Sequence, residues 1–188
     1  MTAKVSLESI KTLRDTTGAS IGDVRSALEA SGGDEHKAKE ILRQKGVESA
    51  QKRKDRATSA GRVEAYIHHD GRMGALVEIN CETDFVARTS EFQQFCRDVG
   101  MQVASQQPAC LAKEQLPSER VEDGRKIGRS VDEVARECCL LEQPFIKDAK
   151  QTIGQLLTAL IAKTGENITI SRFVRFGLGE SSAGRAKD

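Results

Sequence analysis

The chain has no tryptophan and a single tyrosine, and aromatic residues make up only 4% of its 188 positions. Stacking platforms for nucleic-acid bases need several aromatic faces, so base recognition by that route is disfavoured. Neither sign of charge is in excess: 29 Lys plus Arg stand against 28 Asp plus Glu. No global field therefore draws the chain to nucleic acid or to a membrane. Its apolar runs fall far short of the ~20 residues that span a bilayer. The opening residues, Met1-Thr2-Ala3-Lys4-Val5-Ser6, lack the apolar stretch of a signal peptide, so a cytoplasmic location is the expectation. Cys-x-x-Cys spacing is also missing. The five cysteines (Cys81, Cys96, Cys110, Cys138 and Cys139) read as free, largely buried thiols of a reducing compartment. The adjacent Cys138 and Cys139 leave metal or redox chemistry as an alternative, without a second pair of zinc ligands nearby.

Catalytic sets are missing too. The chain contains neither a phosphate-binding Gly-x-x-x-x-Gly-Lys-[Ser/Thr] loop nor a Gly-x-Ser-x-Gly elbow. Gly177-x-Gly179 follows the last strand pattern with no helix behind it, and His36 has no nucleophile alongside. His68 and His69, adjacent in a strand pattern, are expected on opposite faces and so cannot share one metal. The expectation is a binding protein without covalent chemistry, cofactor or metal.

What is present divides the chain. Residues 1–48 predict three short helices punctuated by glycine. Ser6, Ser20 and Asp34 are the caps, and Leu7, Ile10, Leu13, then Ile21, Val24, Ala27, Leu28, then Ala38, Ile41, Leu42 are the apolar faces. Gly18, Gly32-Gly33 and Gly46 are read as the stops, giving a bundle like a ubiquitin-associated domain. Residues 49–60, with Lys52, Arg53, Lys54 and Arg56, form a basic connection, either an exposed helix or a linker. From residue 61 to 180 the pattern is α+β: strands near 62–69, 75–80 and 168–178 with helices between. A three-stranded antiparallel sheet with its helices on one face is the expected core. Val63, Ala65 and Ile67 supply the apolar alternation of the first strand, Asp70-Gly71 the turn, and Ser171-Arg172 a bulge in the last. Leu140 to Ile146, with Pro144, reads as an extended crossing or loop, and residues 181–188 as a loose tail.

The segment that calls for explanation is Asn80-Cys81-Glu82-Thr83-Asp84-Phe85-Val86-Ala87, at a strand-to-helix corner. Two readings apply to it. Asp84 can cap the following helix while Phe85 fills the core. Alternatively the acid and the ring both face outward, where a partner can meet them.

The assembled pieces resemble the bacterial elongation factor Ts family over nearly the whole chain. Leu13-Arg14-Asp15-Thr16-Thr17-Gly18-Ala19 is similar to its Leu-Arg-x-x-Thr-Gly-Ala signature. Ile79 to Ala87 matches Val-Asn-Cys-x-Thr-Asp-Phe-Val-Ala, with Ile79 in place of Val. Gln143-Pro144-Phe145, Gly154-Gln155-Leu156-Leu157 and Arg172-Phe173-Val174-Arg175-Phe176 resemble its C-terminal segments. The resemblance implies a nucleotide-exchange factor that binds GDP-bound elongation factor Tu, dislodges magnesium and speeds GDP release. It implies that Thr83, Asp84, Phe85 and Val86 act on the magnesium site, and that Arg14 and Ile21 contact the partner. Gly22 departs from the family pattern, standing where relatives often carry a bulky apolar residue, and residues 117–132 are short and polar. Room for one α/β core marks a short form of the family, for which the resemblance implies a homodimer binding two partner molecules. Two competing readings are an adaptor that binds through its helical bundle and an RNA-binding protein using Lys52–Arg56.

Overall fold

The computed structural model describes residues 5–180, so the expected tail at 181–188 lies outside the described residues. Three helices come first: α1 (Leu7–Thr17), α2 (Ile21–Ala30) and α3 (Glu35–Arg53). Their caps are those that the sequence predicts. Ser6 accepts from the Ser9 N–H, Ser20 from Asp23, and Asp34 from His36 and Lys37, filling donors that a helix start leaves unpaired. Gly18 closes α1 with φ of 67°, a left-handed conformation that costs glycine nothing. Leu13, Val24, Ala27, Leu28, Ala38 and Leu42 form the bundle's core, whereas Leu7 is exposed.

Gly46 does not end the third helix. It is buried in the middle of α3, where an added Cβ would stand 3.5 Å from Ala162 Cβ. One glycine costs a helix about 1 kcal/mol, less than the packing that continues through it. The helix thus covers residues 49–53 of the basic segment, and Ala50 packs on the larger core.

That core is built on β1 (Ala60–Ile67), β2 (Met73–Cys81) and β5 (Ile168–Gly177), antiparallel in the order β1-β2-β5. Helix α4 (Asp84–Ala87) turns the corner into α5 (Ser90–Gln106), whose Phe92, Phe95, Cys96, Val99 and Val103 cover one sheet face. After a polar excursion with α6 (Ser118–Lys126) and α7 (Val131–Cys138), β3 (Pro144–Phe145) and β4 (Asp148–Thr152) form a two-stranded ribbon. The ribbon replaces the plain crossing or loop expected there. Helix α8 (Ile153–Thr164), capped by Thr152, adds Ile153, Leu160 and Ile161 to the core. Fully buried Gln102 on α5 ties the ribbon down: its amide donates to Gln143 Oε1 and Pro144 O, and its oxygen accepts from Ile146 N–H.

The alternation of the first strand leaves open which side faces inward, and the structure turns the more apolar side out. Glu64 and Tyr66 face the helices, while Val63 and Ile67 face solvent. The register explains it. Glu64 lies opposite Val77 and Tyr66 opposite Ala75, and directly opposed residues share a sheet face. Strand β2 brings Ala75, Val77, Ile79 and Cys81 inward, so β1 must follow. Gly100 of α5 makes room, since a Cβ there would stand 3.1 Å from Tyr66 Cβ. The bulge in β5 is where the sequence places it: the register shifts between Glu78 and Ile79, opposite Arg172 and Ile170. His68 and His69 are not splayed to opposite faces, because β1 ends at Ile67 and their rings lie 4.2 Å apart at the turn. Among the described residues no group of three or more His, Cys, Asp or Glu side chains could hold a metal. No helix is long and apolar enough to cross a membrane among them either.

Candidate partner-binding site

Strand β2 delivers its last residue, Cys81, into the core and then releases the chain to the surface. Thr83 caps α4: its hydroxyl accepts from the Val86 N–H at 3.4 Å, so Thr83, not Asp84, is the capping residue. A four-residue helix has no stability of its own. Its shape comes from three anchors. Below, Val86 and Ala87 pack against the core, and the Cys81 thiol donates to Thr83 O at 3.1 Å. From the side, the Glu166 carboxylate accepts from Thr83 N–H at 3.1 Å and from its hydroxyl at 2.6 Å. Next to it, Glu82 accepts from Asn167 N–H at 2.6 Å, which holds its carboxyl below the usual range, with Arg56 at 3.4 Å helping.

Glu166 and Asn167 form the short turn between α8 and β5. That turn also gathers the end of α3. Asn167 donates to Lys54 O at 3.1 Å and Arg56 O at 2.8 Å, and Arg53 donates to Gly165 O at 2.9 Å. Burial, then the nearby Glu166 charge, push the Cys81 thiol upward, so it serves as a protonated donor. Glu166 and Asn167 are the residues that sequence reasoning misses. They lie more than eighty positions from the corner, the Thr83–Glu166 separation being 83, and no local pattern links them.

On this base Phe85 stands outward with 81% of its surface exposed. The alternative in which it fills the core is excluded. Asp84 is also exposed and pairs with Arg88 one turn on, at 2.8 Å. Such an open ion pair is worth only ~0–1 kcal/mol, so the carboxylate can be given up to another partner cheaply. The corner therefore presents a rigidly mounted aromatic ring beside an available negative charge.

Arg14 and Ile21 lie elsewhere. Both are exposed, at the end of α1 and the start of α2, and both line a cleft between the bundle, α3 and α8. Residues 83–86 do not line that cleft, so the candidate contacts fall into two separate stations.

The family model described as Elongation factor TS matches residues 10–133 and 127–180. The chain belongs to the elongation factor Ts family. Curated relatives agree. Elongation factor Ts of Carboxydothermus hydrogenoformans is 47% identical, the alignment covering 98% of this chain and 94% of the relative. That of Rubrobacter xylanophilus is 44% identical over 92% and 98%, and that of Heliobacterium modesticaldum 41% over 95% and 92%. Both chains are nearly fully covered in each comparison, so these relatives are of about the same length as this chain. Membership makes the protein an elongation factor of protein synthesis.

Proposed function

We propose that this chain is a guanine nucleotide exchange factor acting in the cytoplasm: it binds GDP-bound elongation factor Tu, displaces its magnesium and releases GDP so that GTP can rebind. Exchange needs no covalent chemistry. A factor that binds the nucleotide-free partner more tightly than the loaded one weakens nucleotide binding by the same factor, through thermodynamic reciprocity. Magnesium is a vulnerable point because its octahedral shell tolerates little distortion.

The observation that carries this reading is Phe85, exposed on a corner that Glu166 and the core hold in place. Phe85 wedges into the partner beside its nucleotide site, and Asp84 disturbs the ion and water network there. Thr83 and Val86 keep the corner in shape. Arg14 and Ile21 dock the bundle on the partner at the second station. Contact with RNA through the basic segment is less supported, since Arg53 and Arg56 are engaged within the chain.

Homodimerisation is part of the proposal and has its own support. The helix-free side of the sheet carries Val63, Ala65 and Ile67 of β1, Leu76 of β2, and Val174 and Phe176 of β5. Ile67 is 68% and Phe176 63% exposed. A second copy laid on this face would cover an apolar surface that water otherwise meets.

The test is release of labelled GDP from purified elongation factor Tu. Burying a phenylalanine is worth about 1.5–3 kcal/mol, so Phe85→Ala should slow stimulated release roughly ten- to hundredfold. Its circular dichroism and melting temperature should match the parent. Equal release rates for variant and parent would remove the wedge from the mechanism, and no stimulation by the parent would remove the exchange reading itself.

A further inference from the structure

Two stretches of backbone run side by side where the polar excursion leaves and rejoins the core. Ala109 N–H donates to Cys138 O at 2.8 Å, Leu140 N–H to Cys110 O at 2.9 Å, and Leu141 N–H to Leu111 O at 3.0 Å. Cys110 and Cys139 are direct partners in this parallel bridge. Paired strands sit roughly 4.8 Å apart, inside the ~4.4–6.8 Å Cα separation that disulfides use. Their sulfur atoms are already 3.2 Å apart, and both thiols are free. Cys138 is next in the chain but belongs to the end of α7, and its sulfur meets neither of the other two.

We propose that Cys110 and Cys139 are a disulfide-forming oxidation site for a small peroxide, closing a covalent loop around α6 and α7. Cys110 reacts first, being 9% exposed where Cys139 is fully buried. Its thiolate attacks one peroxide oxygen and the O–O bond breaks, leaving a sulfenic acid on Cys110. The departing hydroxide leaves as water, taking up the proton that Cys110 gave up. The Cys139 sulfur then attacks the Cys110 sulfur, the S–O bond breaks, and the second hydroxide takes the Cys139 proton. Two thiols lose two electrons, one peroxide gains them, and two waters form. Burial and the adjacent Cys110 push the Cys139 thiol up to about 12, which keeps it protonated until the sulfenic acid stands beside it.

The cross-link has a structural consequence. The excursion rests on a minor core of Cys110, Ala135 and Cys139 with Leu116, and the covalent loop would hold it where so few contacts do.

The full chain is treated with hydrogen peroxide, the remaining thiols are alkylated under denaturing conditions, and the peptides are mapped. The expected result is one intramolecular Cys110–Cys139 peptide, a melting temperature raised by several degrees, and slower amide exchange over residues 113–137. Cys138→Ser should form the link like the parent, and Cys110→Ser should not. A link through Cys138, a link between two chains, or no link at all would overturn the proposal. The parent's peptide map decides the matter even if a variant fails to fold.

Discussion

Glu166 has no part in any motif, yet it braces the corner that carries Phe85. Its two oxygens serve the backbone and hydroxyl donors of Thr83, the residue that caps α4. Glu166→Gln replaces one acceptor with an amide group that donates, and one Thr83 donor loses its partner. Because the site is exposed, water can replace the bond and the melting temperature should fall little. Stimulated GDP release should nevertheless drop severalfold, with faster amide exchange at Thr83. Unchanged release would mean that the corner is shaped by Val86 and Cys81 without Glu166. The strand end and the turn into a helix were legible in Asn80–Ala87 because both are local. The sequence left open whether Phe85 faces out or in, and it offered Asp84 as the cap in place of Thr83. Glu166 was not legible either, because a contact across the fold leaves no mark on local spacing.

Between elements, polar groups do as much positioning as apolar ones. Gln102→Leu would leave the buried Gln143 side-chain oxygen and the partly buried Pro144 oxygen and Ile146 N–H without their partner. Unsatisfied buried groups cost ~1–3 kcal/mol each, so urea unfolding should show a loss of about 2–4 kcal/mol. A second tie joins the first turn of α5 to the end of α8. Lys163 donates to Glu91 at 3.0 Å and, with the Glu91 and Ser90 donors, holds the Glu91 carboxyl down at about 2. A depressed folded value means that this contribution is complete above the unfolded value of roughly 4.3 and is lost as pH falls toward 2. Carbon-detected titration should place the Glu91 midpoint near 2 in the parent. In Lys163→Met it should move back toward the ordinary carboxylate range. Helix caps and periods predicted most elements, since each depends on residues within a turn or two. The continuation of α3 through Gly46 was set by Ala162 on α8, which local spacing cannot register.

For the molecule as a whole, the orientation of β1 matters most. Alternation in β1 is the same whichever side faces inward, and a one-residue slip exchanges the faces. Strand β2, the helices above it and the opening left by Gly100 settle the choice, sending Tyr66 in and Val63 and Ile67 out. An apolar sheet face is thereby left open, and the proposed homodimer covers it. Charging that face with Leu76→Glu and Phe176→Glu should convert the dimer to monomer in sedimentation equilibrium while the circular dichroism is kept. A dimer that survives both changes must be built on another surface.

The sequence by itself determined the caps of α1 to α3, most helix and strand periods, the bulge, the corner motif and the family, because these rest on neighbours in the chain or on whole-length similarity. Only the tertiary structure decided that Phe85 stands free on a braced corner, that β1 turns its apolar side outward, and that Cys139 rather than Cys138 meets Cys110. Each of those outcomes depends on which distant residue occupies the space alongside, and that is set when the elements pack.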